Sequence, residues 1–153
     1  MELTTTELAV LERLGAREGW LAVLATSRPD TSIQASVVNA GLISHPISGE
    51  RVVAIVARGG TVKLRNLRQR PTASVVFRSG GEWAAIEGQV ELIGPDDPLD
   101  GFAASDLTEL LREVFRAAGG THDDWPTYDR VMAEERRAVI LIHPERSYGN
   151  HRG

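Results

Sequence analysis

The feature that most restricts how this chain can fold is that its apolar residues arrive in short runs, each stopped by a turn. Residues 21–25, 52–57 and 138–142 are the longest such runs, far below the roughly 20 residues of a membrane-spanning helix. Runs of this length, rich in β-branched residues and bounded by Gly, Pro, Asp or Asn, read as strands. Residues 20–26 end at Arg28-Pro29-Asp30 and pair back through 31–40 as a hairpin. Residues 51–57, 72–77, 83–93 and 137–143 supply further strands, with Ser79-Gly80-Gly81 as a turn between two of them and Gly88 interrupting the longest. The pattern predicts an antiparallel β-meander suited to a barrel.

Helical spacing fills the gaps. Thr4 and Glu7 stand at capping-box distance ahead of Leu8, Leu11 and Leu14, which predicts an N-terminal helix over residues 4–14. Thr61 caps a short helix that stops before Pro71. Leu107, Leu110, Leu111, Val114 and Phe115 form an apolar stripe behind Ser105 or Asp106, and a second helical stretch covers 125–135. These two make a helical insert over about 104–135, followed by a last strand and a loose tail, 144–153, unless a partner covers it. At 153 residues, 42% hydrophobic and 25% charged, the chain is one domain, 1–153, mainly β with α.

Several chemistries are excluded. The chain has no cysteine, so disulfides, thiolate zinc sites, iron–sulfur clusters and cysteine nucleophiles fall together. It has no G-x-G-x-x-G after a strand, no Walker A loop and no H-E-x-x-H. Ser27, Ser36 and Ser79 lack a nucleophile-elbow context. His45, His122, His143 and His151 lack metal-ligand spacing, and no metal and no catalytic side chain are assigned. The opening residues do not have the basic-then-apolar order of a secretory signal, so a cytoplasmic location is expected. A net charge of −4 and 5% aromatic residues argue against nucleic-acid binding.

The charge is uneven. Between Arg51 and Gly81 there is no acidic residue, yet Arg51, Arg58, Lys63, Arg65, Arg68, Arg70 and Arg78 are all basic, and Lys63 is the only lysine of the chain. Ammonium and guanidinium groups beside Gly59-Gly60 suit a phosphate or carboxylate that backbone N–H groups also bind; a solvated helix face is the alternative. On the second strand Gln34, Ser36 and Val38 share one face and Ile33, Ala35 and Val37 the other. A face of small and polar groups can receive a flat ligand, or simply meet water.

Together these features resemble the flavin-binding split β-barrels related to pyridoxamine 5'-phosphate oxidase, and within them the actinobacterial deazaflavin-dependent oxidoreductases. The residues that carry the likeness are Gln34 and Ser36, the segment Lys63-x-Arg65-Asn66-Leu67-Arg68-x-x-Pro71, and Trp83 with Glu87-Gly88. Further on come Gly120-x-His122-x-Asp124-Trp125-x-x-Tyr128, Met132, Arg136-Arg137 and Pro144-x-x-x-Tyr148-Gly149. The resemblance implies a homodimer with a cofactor in the groove between protomers. Lys63 then holds the cofactor phosphate, assisted by Arg58 and Thr61, while Gln34, Ala35, Ser36 and Val37 lie along the ring and Trp83 stands near the groove. Trp125 and Tyr128 belong to the helical insert, where they pack or line the substrate side.

The implied activity is hydride transfer between coenzyme F420 and a small unsaturated or conjugated acceptor. FMN in the same site is the alternative cofactor, and a non-enzymatic F420 or haem binder the alternative role. Two departures matter: Thr61 stands where some deazaflavin relatives have a basic residue, and the arginine-containing C-terminus of true pyridoxamine-phosphate oxidases is not seen. The second argues against vitamin B6 oxidation.

Overall fold

In the computed structural model, which describes residues 1–150, each apolar run becomes a strand and the turn residues between them set antiparallel pairing. The order is α1 (Thr5–Arg17), β1 (Leu21–Ser27), β2 (Ile33–Ser44), β3 (Arg51–Ala57), α2 (Val62–Gln69), β4 (Thr72–Ser79) and β5 (Glu82–Ile93). A 3-10 turn (Ala104–Asp106) then leads into α3 (Leu107–Ala117), α4 (Trp125–Glu134), β6 (Ala138–Ile142) and β7 (Arg146–Gly149). The strands run β4-β1-β2-β3-β6-β5, and pairing of β4 with β5 closes them into a six-stranded antiparallel barrel. This is the mainly β architecture with helices that the sequence predicts. Among the described residues no helix is long and apolar enough to cross a membrane.

The core has two parts because β3 and β6 are covered on both faces. Leu24, Val53, Ile55, Phe77, Ile86 and Ile140 fill the barrel with Leu11 and Leu14 of α1 and Leu64 and Leu67 of α2. Val52, Ala54, Val139 and Leu141 point the other way, against Leu110, Leu111, Val114 and Tyr128 of the helical insert. All five residues of β6 are buried, as a strand sandwiched between two layers must be. The long strand β2 passes from one regime to the other: it alternates from Ile33 to Asn39, where it pairs with β1, and is continuously buried from Ala40 to Ile43, where it pairs with β3. The expected end of this strand at residue 40 marks that change of period.

Helix α1 is capped reciprocally, Thr4 Oγ1 accepting from the Glu7 N–H and Glu7 Oε1 from the Thr4 N–H. It continues past the expected end at 14, since Gly15 is there for packing: a Cβ would lie 2.4 Å from the Trp20 ring.

The tail is a correction. Residues 144–150, expected to be loose, lie along β5, with β7 paired from Ala84↔Gly149 to Glu87↔Arg146. Gly88 makes this possible, because a Cβ there would sit 1.6 Å from the His143 carbonyl oxygen, so only glycine lets the chain cross β5. Tyr148 Oη then donates to Glu87 (2.7 Å) and the Trp83 N–H to Asn150 Oδ1 (2.8 Å). Residues 151–153 of the expected tail, with His151, lie outside the described residues.

Candidate functional site

A cavity of 370 Å³ opens where β2 and β3 leave the barrel and the helical insert folds back over them. Strand β2 contributes Val37, Val38 and Asn39; β3 and the loop after it contribute Val56, Ala57, Arg58 and Thr61; α2 contributes Lys63. The opposite wall is Val114, Phe115 and Ala118 of α3 and its C-terminal end, Tyr128 and Met132 of α4, and Arg137 at the start of β6.

The 58–61 loop is braced from the insert. The Gly59 N–H donates to the Glu135 carbonyl (3.0 Å), and a Cβ on Gly59 would lie 2.8 Å from the Arg136 carbonyl oxygen. Gly60 takes φ of +80°, a conformation that favours glycine. The Thr61 hydroxyl donates back to the Arg58 carbonyl (3.0 Å) rather than capping α2. This loop delivers Lys63 to the cavity rim at the positive end of a helix.

The charges in the cavity are unequal. Glu135 takes two of the three cations: Arg137 donates to its Oε2 from Nε (3.1 Å) and Nη2 (2.7 Å), and Arg58 Nε lies 3.7 Å from the same oxygen. Lys63 has no carboxylate partner among the described residues. Neither a carboxylate nor a histidine lines the cavity.

The second strand divides as its alternation requires. Ile33 and Val37 are each 67% exposed and Ala35 is exposed beside them, while Gln34, Ser36 and Val38 turn inward. Gln34 Oε1 accepts from the Thr26 hydroxyl (3.2 Å), which in turn accepts from Asn66 Nδ2 of α2 (3.1 Å). Ser36 Oγ, one step along this face from Val38, is buried with no hydrogen-bond partner. The structure therefore brings Val37, Arg58, Thr61 and Lys63 to one cavity and places Gln34, Ala35 and Ser36 further along the strand that feeds it. Trp83 lies outside it, edge-on to Tyr148 at 6.0 Å.

This arrangement has known counterparts. The pyridoxamine 5'-phosphate oxidase family model matches residues 17–151. The chain belongs to that family. No curated protein matches the sequence. Among solved structures, a pyridoxamine 5'-phosphate oxidase-related, FMN-binding protein from Nostoc punctiforme is similar at 14% identity and TM-score 0.65, over 95% of this chain and 83% of that one. An F420 reductase is similar at 19% identity and TM-score 0.60, over 90% and 94%. HutZ, the haem storage protein of Vibrio cholerae, is similar at 11% identity and TM-score 0.60, over 97% and 95%. Identities this low establish a shared split barrel.

Within this member of the oxidase family the cavity residues that sequence reasoning did not assign include Asn39, Val56, Phe115, Met132 and Arg137. Phe115 was legible only as helix packing; Tyr128, its ring 4.9 Å from that of Phe115, was read as packing or lining the substrate side. Tyr128 is a wall and not an acid: burial pushes its hydroxyl up to about 12, and its Oη donates to the Leu111 carbonyl (3.1 Å).

A second cluster, His45, Glu91 and His143, escaped a reading based on spacing because its members are 46 and 52 residues apart. Glu91 Oε1 accepts from His45 Nε2 at 2.9 Å and from His143 Nε2. Their ligand atoms lie close enough for a metal ion, but His45 Nδ1 accepts from the Ile47 and Ser48 N–H groups (3.1 and 3.2 Å). Neutral His45 therefore carries its proton on Nε2, aimed at Glu91, where a metal would need a lone pair. Burial pushes the Glu91 carboxyl up, but the bonds from His143 and His45 outweigh it and hold it below the usual range.

Proposed function

We propose that this protein is an oxidoreductase that binds a flavin-type cofactor, F420 in preference to FMN, in the 370 Å³ cavity and serves hydride transfer to a small conjugated acceptor. The observation that carries the reading is Lys63, at the start of α2 on the cavity rim, a cation with no carboxylate partner among the described residues where the other two cations of the cavity, Arg58 and Arg137, share Glu135. The cavity falls within the usual size range of small-molecule sites, and further along the strand that feeds it Ser36 keeps a buried hydroxyl with no hydrogen-bond partner among the described residues. The preference for F420 rests on the motifs running from Gly120 to Tyr148.

The bound cofactor would supply the hydride. Lys63 would pair with its phosphate, Thr61 and Arg58 shape the loop beside it, and the β2 residues of the cavity lining would hold the side of its ring. Val56, Phe115 and Met132 keep water from the opposite wall. Tyr128 holds its proton on the Leu111 carbonyl, and the lining of the cavity among the described residues includes no carboxylate or histidine. Solvent supplies the proton that completes the reduced product.

A homodimer is part of this proposal. Leu21 (49% exposed), Val23, Ile33 and Val37 form an apolar surface on the outer face of the β1–β2 hairpin, and surfaces of this kind mark partner sites. Val37 belongs both to this surface and to the cavity, so a second copy here would close the cavity. Sedimentation of the wild type against Ile33→Asp tests it, a monomeric wild type being the contrary result.

The deciding experiment is a fluorescence-polarisation titration with F420 beside FMN, using wild type and Lys63→Ala. Preferential F420 binding that weakens about tenfold or more in the variant supports the reading. FMN preference moves the enzyme to the flavin branch, and binding of neither overturns the cofactor assignment.

A further inference from the structure

Beside the cofactor cavity is a second one, of 260 Å³, between α3 and α4. We propose that it is the acceptor subsite, and that it takes a small planar molecule bearing one carboxylate or conjugated carbonyl group. This rests on the cofactor reading above and extends it to the substrate class. The two cavities share Met132 and Arg137. An acceptor must reach the cofactor ring, and Met132 and Arg137 form the boundary at which a guest in this chamber meets the cofactor cavity.

The walls select the chemistry. Leu107, Leu111, Met132 and Ala133 give an apolar slot, and its volume, below the range for drug-sized ligands, limits the guest to about one substituted ring. Two charged groups on its walls are already paired. Asp129 accepts from Arg112 Nε (2.9 Å), and Arg136 Nε donates to Asp96 (3.0 Å). Arg136 and Arg137 are each held on the Nε and Nη2 edge by a carboxylate, Asp96 and Glu135, which leaves each Nη1 with no hydrogen bond among the described residues; of the two, Arg137 alone also lines the cofactor cavity.

The backbone separates the two arginines. Arg136 has φ of +49°, a left-handed conformation that costs a non-glycine residue energy and that recurs at functional sites. It lies between Glu135 and Arg137, so that one guanidinium goes outward to Asp96 and the next lines both cavities. Glu135 is thereby a positioning residue, and Arg137 the contact for an acidic or carbonyl oxygen.

Met132 supplies the test. The chain has two methionines, the other being Met1, so protein labelled with 13C at the methionine methyls gives one signal from the shared wall and one from the terminus. Titration with cinnamate is expected to shift the Met132 methyl saturably and leave Met1 in place. Cinnamyl alcohol, which lacks the carbonyl, is expected to bind about tenfold more weakly. Thr108→Trp, an exposed rim position that would block the slot, and Arg137→Gln should each abolish the cinnamate shift. Glu135→Gln should weaken it, with rescue by Glu135→Asp.

F420 and FMN polarisation in the same samples separates the two claims. Cofactor binding unchanged by Thr108→Trp together with loss of cinnamate binding supports a separate subsite. A cinnamate shift that survives Thr108→Trp, competition between cinnamate and cofactor for one site, or no saturable shift up to the solubility limit overturns it. If neither cofactor binds while cinnamate behaves as described, the slot stands as a carboxylate site and the cofactor assignment falls.

Discussion

Two polar clusters in this molecule have opposite states of completion. At His45, Glu91 and His143 the chain satisfies itself: one carboxylate oxygen receives both imidazole N–H groups, and His45 Nδ1 receives two backbone donors. At the cavity between the barrel and the helical insert it does not. Among the described residues Lys63 faces no carboxylate, and further along the strand that feeds the cavity Ser36 Oγ is buried without a partner. A buried polar group left alone costs stability, so complete satisfaction marks a group kept for the fold, and incomplete satisfaction marks one kept for a ligand.

Mutation can break that contrast from either side. The largest effect is expected from Glu91→Leu, which strands two imidazole donors and should cost about 3 kcal/mol in urea unfolding while leaving cofactor affinity unchanged. Lys63→Ala is its mirror image. It should lower cofactor affinity by about 2 kcal/mol, with unfolding midpoint within experimental scatter of wild type.

Acid sharpens the first half of the contrast. Glu91 titrates below its ordinary value of 4.5 when folded. The stability it contributes is therefore full above pH 4.5 and lost as pH falls through the lower folded value. Urea midpoints of wild type minus Glu91→Leu, followed from pH 6 to pH 3, should converge at the acid end. The smallest effect belongs to Ser36→Ala. Removing a hydroxyl that has no partner should leave the free protein as stable or slightly more so, while cofactor affinity falls by about 1 kcal/mol. A loss of stability there would place Ser36 with the self-satisfied groups.

What could be read without coordinates follows the reach of the chemistry. Strands closed by turn residues were legible to within a few positions, because a Pro or Gly acts on its own neighbours. Lys63 and Arg58 stood out because a basic stretch of chain without an acid is visible in one dimension, while their cofactor roles, and that of Thr61, came from the family resemblance. Phe115, Met132 and Arg137 were not, since they reach the cavity only after the insert packs on β3 and β6, and a helical apolar stripe looks the same whether it covers a core or a ligand. The fate of the tail hinged on Gly88, which reads as a strand interruption until the His143 carbonyl is seen crossing it.

The bracing of the 58–61 loop by Glu135 and Arg136 has a consequence for the order of assembly. In a chain made from its N-terminus, the lysine-bearing loop emerges well before its support and the opposite wall, which come from residues 114–137. Arg137 stands at the entrance to β6, the strand that joins β3 to β5. A nascent chain therefore has five of the six barrel strands before it has a binding site, and ligand capture waits until residue 137 has been made. Cofactor present during synthesis would act on the last docking event, by favouring the insert folded down over the barrel wall.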